Sequence, residues 1–95
     1  MRWTYPPELA DVLLTFGLRP TGATPPSLVR DALSDLYRYE LRRMRERLRA
    51  GEIPKPDYID LVIVTRKRYW PLSLQLPAWE EICRGAKAPD VNLES

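Results

Sequence analysis

The chain has 95 residues and a formal net charge of +2, with 44% hydrophobic and 29% charged side chains. This length predicts one domain over residues 1–95, and the composition is too apolar for an intrinsically disordered chain. Because there is one cysteine and no histidine, the chain excludes an intramolecular disulfide, a paired-cysteine zinc site and a histidine general base. We therefore expect a protein that is not an enzyme and that holds no cofactor or metal.

The N-terminal sequence MRWTYPPELADVLL lacks the apolar core and the small-residue cleavage site of a secretory signal peptide. No apolar run approaches the roughly 18 residues that a membrane-spanning helix needs. A single cysteine is also typical of a reducing compartment. These features predict a cytoplasmic protein without a membrane partner.

The first predicted element is a short helix in PPELADVLLTFG. Pro6 and Pro7 suit a first helical turn, and Gly17 suits the position just past a helix end. Its apolar residues recur at helical spacing, which predicts one apolar side that packs on another element. The stretch from 18 to 24 that follows is a connecting loop without a phosphate-binding glycine pattern.

A long central helix is predicted over about residues 25–50. Thr24 suits its N-cap, Pro25 its first position and Gly51 the position after its end. The apolar stripe turns by roughly a quarter of a circle between the two halves of this helix. We expect the first half to pack on the first helix and the second half on the segment that follows.

The segment from about 56 to 70 has two interpretations. Its β-branched residues between 61 and 64 suit a buried strand, whereas Pro56 and Asp57 suit the opening of a helix. No second strand is available for pairing, so we predict a shorter helix that runs antiparallel to the central one. Apolar or weakly polar residues share one side of it: Tyr58, Leu61, Val62, Thr65 and Tyr69.

The sequence changes character after Pro71. Leu72, Leu74 and Leu76 alternate with polar residues between two prolines, which predicts an extended arm with one apolar edge. A short helix from Pro77 to Gly85 and a flexible tail over about 86–95 complete the chain. The predicted fold is all-α, with a helical hairpin flanked by short terminal helices and this leucine-rich arm.

An arginine stripe on the central helix is the strongest functional feature. Its members recur at intervals of four, three and four residues, so they share one side of the helix. Guanidinium groups match phosphate oxygens, which favours a phosphate-binding or partner-binding surface. The alternative is a solvated flank, or a surface that meets acidic groups of another chain. The stripe consists of Arg38, Arg42, Arg45 and Arg49.

A second basic group, Arg66, Lys67 and Arg68, precedes Tyr69 and Trp70. Cations beside aromatic rings are typical of single-stranded nucleic-acid binding. Basic residues are equally typical of a helix C-terminus, where they interact favourably with the helix dipole. The aromatic residues also suit the core.

The remaining candidate groups favour structural roles. Glu80 and Glu81 diverge by about 100° on a helix, so they do not converge on one ligand. Asp57 and Asp60 suit the first turn of a helix. Cys83 has no histidine to activate it, so a catalytic thiol is not expected.

Two functions therefore stay open. The first is a non-enzymatic protein–protein interaction module, an accessory or regulatory subunit that associates with itself. The central helix is longer than its partner, which leaves surface for a second copy, and Tyr39 and the leucines of the extended arm are candidate interface residues. The alternative is a nucleic-acid-binding accessory protein in which the arginine stripe holds the phosphate backbone.

Overall fold

The computed structural model describes residues 2–85, and its regular elements in that range are all helices. The predicted all-α class and the long central helix are confirmed, and the segment from 58 to 65 is helical. The predicted flexible tail at 86–95 lies outside the described residues. The elements are α1 (Pro7–Thr15), α2 (Pro26–Arg49), α3 (Lys55–Arg68), a 3₁₀ turn (Trp70–Ser73) and α4 (Leu76–Gly85).

Prolines set the beginnings of the helices. Pro25 is the N-cap of α2 in an extended conformation, with φ −69° and ψ 143°, and Pro54 has the same position before α3. The prediction that Thr24 is the N-cap of α2 is wrong. The Oγ1 atom of Thr24 instead accepts a hydrogen bond from the backbone N–H of Thr21 at 3.0 Å, within the preceding turn. A proline suits a first helical position because its missing N–H would have no helical partner there.

Glycines end the first two helices. Gly17 has φ 79° and Gly51 has φ 78°, a left-handed conformation that glycine adopts without steric cost. After α2, the backbone N–H of Glu52 donates to the carbonyl of Arg47 at 2.9 Å, and the N–H of Gly51 donates to the carbonyl of Leu48 at 3.1 Å. This pair of bonds is the Schellman motif. The predicted glycine stops are therefore confirmed.

The core lies against the first half of α2. α2 packs most closely on α4, with α3 and the 3₁₀ turn next. The expectation that the first half of α2 packs on the first helix was therefore incomplete, because α4 is its main neighbour. We call α1, the first half of α2, the 3₁₀ turn and α4 the body. We call the buried residues at its centre the core cluster: Leu9, Leu13, Val29, Leu33, Tyr69, Trp79 and Cys83.

The predicted extended arm is wrong in form, because Trp70 to Ser73 make a 3₁₀ turn. Pro71 fixes a helical φ at the start of this turn, and the Ser73 hydroxyl donates to the carbonyl of Trp70 at 2.7 Å. The backbone is extended at Leu74, with φ −90° and ψ 136°. Alternating leucines indicated a strand-like edge, but the proline decides the local backbone.

The leucines of this segment are half-buried and pack against the core cluster. This applies to Leu72, Leu74 and Leu76. Arg30 of α2 fixes the segment, because its guanidinium donates to the carbonyl of Leu74 at 2.9 Å and of Leu72 at 3.3 Å. The core therefore covers much of the apolar surface that was predicted to be a free interface.

The segment before α1 joins two distant parts of the body. The backbone N–H of Trp3 donates to the carbonyl of Gly22 at 2.8 Å, and that of Thr4 donates to the carbonyl of Cys83 at 2.9 Å. The Tyr5 hydroxyl donates to the carbonyl of Thr24 at 2.7 Å. These bonds tie the loop before α2 to the end of α4.

The second half of α2 and α3 pack antiparallel over residues 37–68, and we call this part the hairpin. The Thr65 hydroxyl of α3 lies 3.7 Å from the sulfur of Met44, and Ile53 is buried at the connecting turn. All buried residues of α2 lie in its first half, at Pro26, Val29 and Leu33. The hairpin is therefore much less covered than the body.

Candidate functional site

The outward side of α3 is apolar and exposed. Ile59 is 51% exposed, Ile63 45% and Val64 54%, while Thr65 is the buried residue of this helix. Thr65 faces Met44 of α2. At about 100° per residue, the residues at 59, 60, 63, 64 and 67 fall on the opposite side of α3. We call these five residues the outer face. It combines three apolar residues with one acidic and one basic residue.

Sequence patterning missed this face. The predicted apolar side of this helix includes Tyr58, Leu61 and Thr65. In the structure Leu61 is exposed. Ile59, Ile63 and Val64 lie off that side. A helix that is apolar on two sides usually packs between two neighbours. These three residues were therefore the sequence signal for a second packing surface on α3.

Asp60 and Lys67 are the two charged residues of the outer face. Both are exposed, and they lie on either side of Ile63 and Val64. At 1.5 Å per residue they are about 10 Å apart along the helix axis. Neither takes part in an ion pair among residues 2–85. Their charges are therefore available to a binding partner.

The arginine stripe is shorter than predicted. Arg38 pairs with Asp35 and also donates to the Ser34 hydroxyl at 3.1 Å. Arg42, Arg45 and Arg49 are exposed and make no ion pair within the described part of the chain. Three cations of the stripe thus face solvent on one side of the hairpin.

Arg68 is separated from its two basic neighbours. Its guanidinium lies 3.3 Å from a carboxylate oxygen of Glu40, and 5.4 Å from the centre of the Phe16 ring. Arg68 is thus held against α1 and α2, whereas Arg66 and Lys67 face solvent. The basic group predicted at 66–68 is divided between a structural contact and two exposed cations.

Tyr69 joins the hairpin to the body. Its buried ring lies 4.2 Å from the Phe16 ring and 5.0 Å from the Tyr37 ring, between ring centres. Its hydroxyl donates to Glu40. Burial, which is the larger cause, and the Glu40 carboxylate both raise the pKa of Tyr69 well above its usual value. Tyr69 is therefore a core residue and does not offer its ring to a nucleic-acid base.

Tyr39 lies on the exposed side of the hairpin, with the Arg43 guanidinium 5.9 Å from the centre of its ring. The two residues border an open groove of about 380 Å³ that Glu40, Met44 and Arg47 also line. A ring and a guanidinium at this distance make a favourable cation–π contact. Tyr39 therefore remains an accessible candidate interface residue.

Cys83 is fully buried, and burial raises the pKa of its thiol to about 11. Thiolates, not thiols, are the nucleophiles in cysteine chemistry. This arrangement favours a packing role for Cys83, as its position in the core cluster also indicates.

We expect the protein to lose stability at alkaline pH, beginning near the ordinary thiol pKa of 9.0. Burial raises the pKa of Cys83 to about 11, and burial followed by the Cys83 charge raises the pKa of Tyr5 to about 12. Since the folded state favours the neutral forms, the unfolded chain loses these protons first as pH rises. Urea midpoints measured from neutral pH to pH 11 test this expectation.

Cys83→Ala is the control for the alkaline series. In this variant the urea midpoint should fall less over the pH range in which the thiol titrates. The fall at higher pH, which Tyr5 and Tyr69 cause, should remain. A wild-type midpoint that stays constant up to pH 11 would contradict the prediction.

Within residues 2–85, no group of three or more histidine, cysteine or acidic side chains is arranged to hold a metal ion. None of the helices in this range has both the length and the apolarity that crossing a bilayer requires. No protein-family model matches the chain, and comparisons with curated proteins and with solved structures found no match.

Proposed function

We propose that the protein is a non-enzymatic protein–protein interaction module, an accessory or regulatory subunit that associates with itself through the hairpin. The observation that supports this most is the outer face of α3, where Ile59, Ile63 and Val64 lie about half exposed. Contiguous apolar patches on a soluble protein are typical of binding sites. The free cysteine fits a reducing compartment, so we also propose a cytoplasmic location.

The shape of the hairpin supports the same proposal. Two helices alone bury little apolar surface, and most stable helical architectures pack a further layer on such a pair. Burying a Val or Ile side chain fully contributes roughly 1.5–3 kcal/mol relative to leaving it in water. A partner that covers the outer face would therefore gain several kcal/mol before the cost of association is subtracted.

Site-specific photo-crosslinking tests this function. A photoreactive amino acid replaces Ile63 in the full chain, and the same amino acid at Asp31 is the matched control, because Asp31 is exposed on the body. We expect a discrete crosslinked protein from position 63 in cells, and much less from position 31. Equal yields from both positions, or none from either, would overturn the proposal.

The second candidate function is binding of a nucleic-acid backbone. It is supported by Arg42, Arg45 and Arg49, which are exposed and have no ion pair among the described residues. The spacing from 42 to 49 covers about 10 Å along the helix, enough to contact more than one phosphate. Such contacts would hold nucleic acid without reading its sequence.

Fluorescence anisotropy with labelled DNA and RNA tests this second function. Changing the three arginines to glutamine should weaken binding and lower the slope of log Kd against log salt by roughly 2–3. The control variant changes Arg2, Arg19 and Arg84 to glutamine, which removes the same charge outside the hairpin. If the wild type binds no nucleic acid at low salt, this candidate is wrong.

A further inference from the structure

We infer that the outer face of α3 binds the same face of a second copy of this chain, antiparallel and about a two-fold axis between Ile63 and Val64. This inference rests on the proposed self-association and specifies the face and the arrangement through which it occurs. The interface would be isologous, so that every contact occurs twice.

The order of residues on the outer face makes it self-complementary. Asp60 lies before the apolar pair Ile63 and Val64, and Lys67 lies the same distance after it. A two-fold axis through the middle of this sequence brings each Asp60 opposite the partner's Lys67. The same axis brings Ile63 opposite the partner's Val64. Charges of opposite sign thus border an apolar centre on both sides.

The charges select the antiparallel arrangement. In a parallel pair with the same register, each Asp60 would face the partner's Asp60, and each Lys67 the partner's Lys67, which is repulsive. In the antiparallel arrangement both ends attract. The dipoles of two antiparallel helices also interact favourably, because the positive end of each lies near the negative end of the other.

The arrangement also covers what each hairpin leaves open. Two hairpins packed through α3 place the two α3 helices side by side, with one α2 on the outside of each, and the apolar centre lies between the two α3 helices. Ile59 precedes Ile63 by one helical turn and lies at the edge of this centre. The arginine stripe of α2 lies on a different side of the hairpin, so its charges do not oppose each other at the axis.

Charge exchange in the full-length chain tests the inference by sedimentation equilibrium. We expect the wild type to dimerise, and Asp60→Lys and Lys67→Asp each to weaken the dimer about tenfold, which is about 1.4 kcal/mol. The variant with both substitutions should recover the wild-type affinity, because it exchanges the two charges and leaves opposite signs facing each other across the axis. An equimolar mixture of the two single variants should form a heterodimer for the same reason.

Circular dichroism and urea midpoints show whether each variant is folded. We expect the variants to fold, because substitutions at exposed positions usually change stability little. Ile63→Asp is a second variant that places a charge at the apolar centre and should leave only monomer. A parallel measurement on Asp31→Lys, which has the same charge change on the body, should leave the dimer unchanged.

The outcomes separate this inference from the function on which it rests. A wild type that stays monomeric at every concentration, with a crosslink from position 63 to a different protein, overturns self-association and leaves the interaction with another protein. The antiparallel arrangement is wrong if the wild type dimerises and neither single variant weakens the dimer. It is also wrong if the double variant does not recover the wild-type affinity. If position 63 crosslinks nothing and the chain is monomeric, both are wrong.

Discussion

We expect Trp79→Ala to lower the free energy of unfolding by about 3–5 kcal/mol, a large part of the total for a small domain. The Trp79 side chain has 0% exposure and lies in the core cluster. Its indole N–H donates to the carbonyl of Pro71 at 2.8 Å in a buried bond. The truncation would remove the largest buried side chain, create a cavity and leave the Pro71 carbonyl without this donor.

Urea denaturation followed by circular dichroism measures this effect. Trp79→Phe keeps most of the volume and loses the hydrogen bond, so its cost should be smaller. Trp70→Ala is the matched control, because Trp70 is 36% exposed, and we expect it to cost about 1 kcal/mol or less. Equal losses at positions 79 and 70 would show that Trp79 does not hold α4 in place.

The second large effect separates the two halves of α2. We expect Leu33→Ala to cost about 3–4 kcal/mol, because Leu33 has 0% exposure and lies where α2 meets the core cluster. Leu48→Ala makes the same chemical change on the same helix, but Leu48 is only half-buried in the hairpin. Its cost should be about half as large, in proportion to the apolar area that is lost.

The measurement uses urea midpoints at a concentration where sedimentation finds only one species, so that association does not change the comparison. Leu28→Ala is the control, because Leu28 is 60% exposed on the same helix, and we expect a change within about 0.5 kcal/mol. Hydrogen exchange should show the amides of the hairpin opening more easily than those of the body. Equal costs at Leu33 and Leu48 would contradict this difference.

Local sequence chemistry explains why the helices could be predicted. Gly17 and Gly51 end the first two helices at the expected positions, since glycine adopts without steric cost the left-handed conformation that the position after a helix often takes. The prolines likewise limit each helix start to within about one residue. The segment around 61–64 is predictable as a helix because the chain offers no second strand with which it could pair.

Other features depend on residues that are far apart in the sequence. Nothing near Trp79 indicates that its indole binds the carbonyl of Pro71, and nothing near Glu40 indicates that Tyr69 and Arg68 reach it across the hairpin. The same applies to Arg30, whose bonds to the carbonyls of residues 72 and 74 fix a segment that alternation alone predicts to be extended. Such contacts arise from packing, which periodicity does not encode.

The candidate site was also only partly predictable. The arginine spacing predicts one shared side of α2, whereas the pairing of Arg38 with Asp35 depends on the side-chain conformation. The outer face of α3 could not be predicted from pattern alone, because its β-branched residues suit a buried strand as well as a helix. Once the segment is helical, the same residues at Ile59, Ile63 and Val64 become an exposed surface.

The joint at Tyr69 has a mechanical consequence. The ring packs against Phe16 and Tyr37, and the hydroxyl donates to Glu40, so these contacts restrain movement of the hairpin relative to the body. In the proposed dimer, the two hairpins pack on each other through α3. The contacts of Tyr69 then orient each body relative to its own hairpin. The pair would therefore act as a stiff spacer, which holds whatever is attached to the two bodies at a fixed separation and orientation.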